Sequence, residues 1–266
     1  MSRDRMQQQR FELKYIISEE TALLVRDFVQ SYLEFDEYSV GRPNFSYPVH
    51  SLYLDSDDLN LYWQTINGNK NRYKLRLRYY STNPETPVFF EIKRRMNNCI
   101  MKQRGGVRQT AVAPLLMGHF PEPAHLLSQN PKQVIAVQRF VHLMGEMHAR
   151  PKVHIFYMRE AYVSDNDEVR VTLDRTVQAE PNLSPSVKTE MHDPKGSFHN
   201  QVILELKFTN RFPEWFKGLV RTFGVMQCGA AKYVSSIEAI GSKALDCPIP
   251  VLEEGVKFSR AQRHML

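Results

Sequence analysis

Between Arg72 and Arg104 the chain repeats one pattern of charge. Lys74, Arg76 and Arg78 stand at i, i+2 and i+4, with Leu75 and Leu77 between them. In a β-strand successive side chains point to opposite faces, so these three cations share one face. Glu91 and Lys93 alternate in the same way with Phe90 and Ile92, and Lys102 and Arg104 follow. Converging groups of this kind suit one chemistry, the binding of a multiply charged oxyanion. Arg takes phosphate oxygens bidentately, and Lys takes them as a point charge. The plainer reading is the solvated face of an antiparallel sheet, with the leucines toward a core. Against it stands repulsion: like charges directly opposite on neighbouring strands cost on the scale of roughly 0.2–1 kcal/mol per pair. An anion lying between them removes that cost.

The rest of the chain must position these groups. Arg10–Ile17 reads as a strand with Glu12 and Lys14 on one face and Phe11, Leu13 and Tyr15 on the other. Ser18 is placed to cap a helix over about 19–33, with Leu24, Phe28 and Tyr32 as its expected core stripe. Residues 36–48 read as a loop and Val49–Asp55 as a strand. Ser56 is then expected to cap a short helix with Asp57 and Asp58 in its first turn, stopping at Asn67-Gly68. Those two aspartates suit capping better than metal binding. Residues 81–87 make a hairpin loop.

From 110 to 149 the pattern turns helical, punctuated by Pro114, Pro121, Pro123 and Pro131. Val134, Val137 and Val141 line one face, widened by Phe140 and Met144. His119, His125, His142 and His148 have no metal-ligand spacing and read as surface or satisfied side chains. Strands then return. Tyr157 and Arg159 share a face, as do Arg170, Thr172 and Asp174. Residues 181–200 look like a long polar loop, expected to be mobile. In Gln201–Phe208, Glu205 and Lys207 oppose Leu204, Leu206 and Phe208. Pro213 opens a helix that Gly224 ends, with Trp215, Leu219 and Phe223 as its apolar face, and Lys232-Tyr233-Val234 leads a last short helix to Ile240.

The bulk properties are consistent with this. The chain has 266 residues, 42% hydrophobic and 24% charged, enough for a real core. Net charge is +6 and the pI about 9.2, which suits an anionic partner. Cys99, Cys228 and Cys247 form neither a disulfide framework nor a zinc signature, so a reducing compartment, the cytoplasm, is expected. The polar start MSRDRMQQQR does not read as a signal peptide, and no apolar run approaches the ~20 residues of a membrane helix.

About eight strands carry charge on one face, enough to close a barrel whose interior just fits side chains or one small ligand. The expected fold is therefore α+β: an antiparallel β-barrel with the charged faces inward as a polar tunnel and helices packed on its apolar outside. Glu12, Glu91 and Glu205 would then lie among the cations. Carboxylates are hard oxygen ligands, and Mg²⁺ or Mn²⁺ typically uses one or two of them plus phosphate oxygens and waters. The alternative is that each glutamate only pairs with a neighbouring Lys or Arg.

RFELKY, SLYLDS, KLRLRYY, FFEIKRR, MKQR, YMREAY, VRVTLD, LELKF and AKYV, in that order over residues 10–240, resemble the polyphosphate polymerase domain of vacuolar transporter chaperones (VTC), in the triphosphate tunnel metalloenzyme superfamily with its CYTH-like fold. The resemblance implies a tunnel that binds the triphosphate of ATP with Mn²⁺ or Mg²⁺ and passes the terminal phosphoryl group to a growing polyphosphate chain. It assigns phosphate binding and catalysis to Lys14, Arg76, Arg78, Lys93, Lys102, Arg159 and Lys232, and metal binding to Glu205. Tyr157 matches an aromatic near the nucleobase, and Arg170 lines the tunnel; Lys74 and Lys207 join as further substrate contacts. Ala231 stands where relatives often carry Ser. With no counterpart of the SPX and transmembrane regions of the eukaryotic complexes, the chain looks like the stand-alone bacterial type. A membrane-protein partner and a monomer or small homo-oligomer are expected.

Competing readings use the same residues. One is a tunnel triphosphatase with water as acceptor, another a non-catalytic polyphosphate or nucleotide-binding module. Nucleic-acid binding, with Tyr73, Tyr79 and Tyr80 stacking bases, fits less well, because the cations alternate with glutamates and apolar residues. Residues 1–9 are expected to be a flexible start, 10–242 the tunnel domain with a helical insertion at about 110–149, and 243–266 a C-terminal tail, partly disordered from Cys247.

Overall fold

The computed structural model describes residues 10–97 and 99–248. The strands are β1 (Arg10–Ile17), β2 (Glu34–Phe35), β3 (Ser46–Asp55), β4 (Asn71–Tyr79), β5 (Val88–Met96), β6 (Cys99–Val107), β7 (Arg150–Val163), β8 (Val169–Pro181), β9 (Lys195–Gly196) and β10 (Val202–Thr209). The helices are α1 (Glu19–Val29), α2 (Asn60–Ile66), α3 (Val112–Leu116), α4 (Pro131–Glu146), α5 (Glu214–Thr222) and α6 (Lys232–Ile240).

The strands form one sheet in the order β2-β7-β3-β4-β5-β6-β1-β10-β8-β9. β7 also pairs with β8, so the run β7-β3-β4-β5-β6-β1-β10-β8 curls back on itself. Its thinnest seam lies between β1 and β6, where Arg10 pairs with Ile100. All these pairings are antiparallel, and the alternation of side chains carries each charged set to the inside. A β-bulge beside Tyr157, with Thr176 at φ 52°, shifts the β7–β8 register next to the charged interior.

The hydrophobic core lies outside the barrel. Leu75, Leu77, Phe90 and Ile92 pack under Val137, Phe140, Val141 and Met144 of α4. Leu204, Leu206, Val171 and Leu173 pack under Ala22, Val25 and Val29 of α1 and Phe216 and Leu219 of α5. α6 covers a third face with Val234 and Ile237. At roughly 1.5–3 kcal/mol for each fully buried large apolar side chain, this outer layer is what stabilises a barrel with a charged lumen.

Several expectations are corrected. The core stripe of α1 is Ala22, Val25 and Val29, not Leu24, Phe28 and Tyr32; Leu24 is 57% exposed. The short side chains let α1 approach the sheet closely. Tyr32 instead stacks on Trp215 of α5, centroids 4.6 Å apart. α2 begins at Asn60 rather than beside Asp57, because the buried Asp55 carboxylate accepts the Leu61 and Tyr62 amides (2.9 and 3.0 Å) and the Tyr233 hydroxyl (2.5 Å). Asp57 pairs with Lys152. Residues 181–200 are pinned: β9 pairs with β8, Phe198 is buried, and the Lys188 carbonyl accepts the Tyr79 hydroxyl at 2.5 Å. Leu245, within the expected tail but ahead of Cys247, is buried against the α6 cluster. The expectations for residues 1–9 and for the end of the chain beyond 248 lie outside the described residues.

Gly105 marks the closest helix–sheet approach. A Cβ there would stand 2.4 Å from the Gln133 carbonyl oxygen and 2.5 Å from Val137 Cγ2. Gly105→Ala must therefore push α4 off β6, and overpacking of this kind costs about 1–3 kcal/mol. Urea titration should show a lower midpoint with an unchanged slope.

Candidate functional site

Cross-strand register arranges the interior in rows. Lys74 of β4 faces Lys93 of β5, which faces Lys102 of β6. Arg76 faces Glu91, which faces Arg104. Across the lumen Lys14 of β1 faces Glu205 of β10, which faces Thr172 of β8, while Glu12 faces Lys207, which faces Arg170. The first row places three like charges side by side, the unfavourable arrangement that the sequence pattern implied.

Carboxylates hold part of this charge. Glu205 is the hub: its Oε1 lies 3.1 Å from Lys232 Nζ and 3.2 Å from Lys14 Nζ, and its Oε2 2.5 Å from Lys207 Nζ and 3.4 Å from Arg159 Nη2. Arg159 also makes a fork with Asp174, Nε–Oδ1 and Nη2–Oδ2 both 2.7 Å. Lys232 bridges Asp174 (2.5 Å) and Glu205 from the first turn of α6. Glu12 pairs with Lys93 (2.9 Å) and Lys14 (3.1 Å). Glu91 takes Arg76 Nη2 at 2.7 Å and Lys102 at 2.6 Å.

Burial alone would push Glu205 up the pH scale, but Lys207, Lys232, Lys14 and Arg159 outweigh it and hold the carboxyl well below its ordinary range. Glu12 follows the same balance, with burial opposed by Lys93 and Lys14. Asp174 and Glu91 are also depressed against burial, by Arg159 and Lys232 and by Arg76 and Lys102 respectively. The cations are in surplus, and it shows on particular lysines. Burial, then Lys14, Lys93, Arg72 and Arg76, drive Lys74 well below its ordinary value. Its ammonium has no carboxylate partner among the described residues and lies 5.5 Å from the Tyr233 ring centre. Burial also brings Lys207 down to about 7, although Glu205 opposes it; Lys102, 42% exposed, keeps contact with water.

Arg78 is almost fully buried, with Nη2 2.8 Å from the Tyr157 hydroxyl and its Nε without a partner. Tyr157 is itself buried under Arg159 and Lys232, whose charged ends lie 5.2 and 4.9 Å from its ring centre. That wall position leaves no face for a nucleobase. Arg170 sits toward one mouth, paired with Asp36 and 3.3 Å from the Tyr47 hydroxyl.

The sequence-derived set thus converges on one lumen. The sequence reading did not assign Asp174, Arg104, Tyr53 or Asp36 to the site. Asp174 was visible as the third member of the Arg170–Thr172 alternation, and Tyr53, whose hydroxyl accepts Arg76 Nη1 at 3.0 Å, as the inward residue of β3. Nothing in the sequence marked Asp36, which arrives from a turn. As for a divalent ion, no group of three or more His, Cys, Asp or Glu side chains gathers among the described residues. The donors present are ionised single carboxylates, Glu205 foremost, with Glu12 sharing Lys14 with it. That set fits an Mg²⁺ or Mn²⁺ ion that shares phosphate oxygens, and does not make an all-protein cage. Glu91 belongs to a separate group of cations.

Comparison with known proteins bears on the same residues. Over 149 residues the chain is 27% identical to vacuolar transporter chaperone complex subunit 2 of Schizosaccharomyces pombe, a match that takes in 53% of this chain but only 20% of that protein. A Bacillus halodurans crystal structure, provisionally assigned as an adenylate cyclase, aligns at a TM-score of 0.48 and 15% identity, covering 85% of this chain and 96% of the other. The VTC domain profile matches residues 9–240, which include every wall of the lumen described above, and the chain belongs to the VTC domain family.

Proposed function

We propose that this chain is a polyphosphate-forming phosphotransferase that uses the terminal phosphoryl group of ATP. The observation that carries the reading is the inward set of cations, above all the Lys74–Lys93–Lys102 row, in which Lys74 has no carboxylate partner among the described residues. An inward-facing surplus of this kind calls for a polyanion, and membership of the VTC domain family supports a polyphosphate chain as that polyanion.

In this reading the triphosphate lies along the lumen between the Arg76–Arg78 wall and the Arg159–Lys232–Lys14 wall. A terminal oxygen of the polyphosphate chain attacks the γ-phosphorus in line; the new P–O bond forms as the bond from the γ-phosphorus to the β,γ-bridging oxygen breaks, and ADP leaves. A phosphate oxygen is already a competent nucleophile, so the side chains supply position and charge. Arg159 is fixed by its Asp174 fork and Lys232 by two carboxylates, so both meet developing charge without reorganising. Glu205, with Glu12, would hold an Mg²⁺ or Mn²⁺ ion, which when bound neutralises charge on the phosphate oxygens.

Arg78→Ala is the cleanest test, because it removes a lumen cation without orphaning a carboxylate. Incubation of the parent chain with ATP and Mn²⁺ should give long polyphosphate on a gel, and Arg78→Ala should lose at least about 10-fold in rate, from a charge-assisted bond of ~1.5–3 kcal/mol. Free phosphate without polymer would identify water as the acceptor instead.

Lys207 sets a pH dependence. Burial beside Glu205 brings its ammonium down to about 7, so it sheds its proton above that pH. A bound triphosphate raises that value, so binding near pH 8 takes up a proton and weakens as pH rises. Calorimetry in two buffers of different ionisation enthalpy should show that uptake, and the Kd for ATP should rise between pH 7 and 9.

A further inference from the structure

We propose that Tyr38 and Tyr80 form a clamp for the nucleobase of the triphosphate donor; this rests on the reading of the lumen as a triphosphate site and adds its specificity element. Tyr38 stands on the turn after β2, and Tyr80 follows the last residue of β4. Their rings are 3° from parallel with centroids 6.4 Å apart. Tyr47 of β3 closes the bottom of the gap, its ring centre 6.0 and 6.1 Å from the two walls and tilted by 57° and 56°. The floor is buried at 5% exposure while the walls are 60% and 38% exposed. Two near-parallel exposed rings beside a buried third ring offer stacking faces to a flat ring.

The spacing selects the occupant. Carbon atoms in face contact lie about 3.5–4.0 Å apart, so a planar ring touches both walls when they part to about 7 Å. Tyr38 stands on an exposed turn, and that turn sets its plane relative to Tyr80. A methylated ammonium is a sphere, not a slab, and would force the walls much further apart.

Position links the slot to the phosphates. Tyr80 lies two residues beyond Arg78 in the same alternation, about 7 Å along the chain, the kind of gap a ribose spans between base and phosphate. The Tyr47 hydroxyl is 3.3 Å from Arg170 Nη2, and Arg170 pairs with Asp36, whose Oδ1 accepts the Tyr38 amide at 2.8 Å. The outer wall is thus tied to the tunnel mouth. Stacking reads faces rather than edges, so the slot favours purines over pyrimidines and treats adenine and guanine alike.

Titration calorimetry of the full chain with Mg²⁺ and ATP, GTP, CTP or inorganic tripolyphosphate tests this. In the parent chain ATP and GTP should bind alike and CTP more weakly. Tyr38→Ala and Tyr80→Ala should each weaken ATP binding by about 5- to 100-fold, the range of one lost base–aromatic stack, and leave tripolyphosphate binding unchanged, while Tyr38→Phe and Tyr80→Phe should keep parent affinity for ATP. Unchanged ATP affinity in the alanine variants, with tripolyphosphate still bound, overturns the clamp and leaves the tunnel reading standing. Loss of tripolyphosphate binding in those variants also overturns it, because the tyrosines would then act on the wall itself. A parent chain that binds neither ATP nor tripolyphosphate overturns the tunnel reading, and the clamp with it.

Discussion

Like charges that cannot move apart govern this molecule. Pairing of β4, β5 and β6 fixes Lys74, Lys93 and Lys102 side by side, and curling of the sheet turns that row inward. On an open sheet the ammonium groups would spread into water and the repulsion would fade with solvent screening. Inside a barrel they keep their proximity and lose part of their solvation. The opposing stability comes from the other side of the same strands, where Leu75, Leu77, Phe90 and Ile92 meet α4. Strand alternation therefore couples the two halves of the design: each residue step that buries an apolar group outside places a charged one inside.

That coupling made the fold legible. The period-two pattern assigned the inward residues of β1, β4, β5, β6, β7, β8 and β10 before any pairing was known, and the observed register brings the named cations together. Helix faces were less legible. α1 carries two apolar stripes, and hydrophobicity alone favours the larger one, Leu24, Phe28 and Tyr32. Packing chose Ala22, Val25 and Val29, since small side chains bring the helix down onto the sheet, and left the large stripe to meet Trp215. The segment 181–200 misled for a different reason. Its polar composition suggested mobility, but its backbone groups are held by partners far away in sequence, such as Tyr79 on the Lys188 carbonyl and Glu180 on the His192 amide. Asp36 and Tyr38 were invisible in the same way, because a turn only acquires meaning from the strand end it packs against.

The carboxylates deserve a reading beyond pairing. Buried ion pairs are poor sources of net stability, since desolvation consumes most of the attraction. Their value here is orientation. Arg159 in its Asp174 fork and Lys232 between Asp174 and Glu205 are aimed before any ligand arrives, and the low carboxyl pKa values keep those partners ionised across the physiological range. Lys74 is different, surrounded by cations and lacking a carboxylate among the described residues. The lumen therefore contains both aimed charges and an amine without a counter-ion, and these do different things: the first order a ligand, and the second regains full basicity when an anion lies beside it.

Glu205 joins the two. Both its oxygens are engaged by ammonium groups, Lys232 and Lys14 on one and Lys207 on the other. A divalent ion cannot share those oxygens with that many close cations. A triphosphate can draw the lysines toward itself, because its oxygens are stronger in number and charge than one carboxylate. On the proposed reading, phosphate binding would therefore free the oxygens that a metal ion needs, and the ion would in turn screen the carboxylate from the phosphate. Each partner removes the obstacle to the other, so metal and triphosphate would bind with positive coupling, and by linkage the enhancement must be the same seen from either ligand. On that reading the site would stay closed to free cations while its own lysines hold Glu205, in keeping with the absence of a carboxylate cage among the described residues.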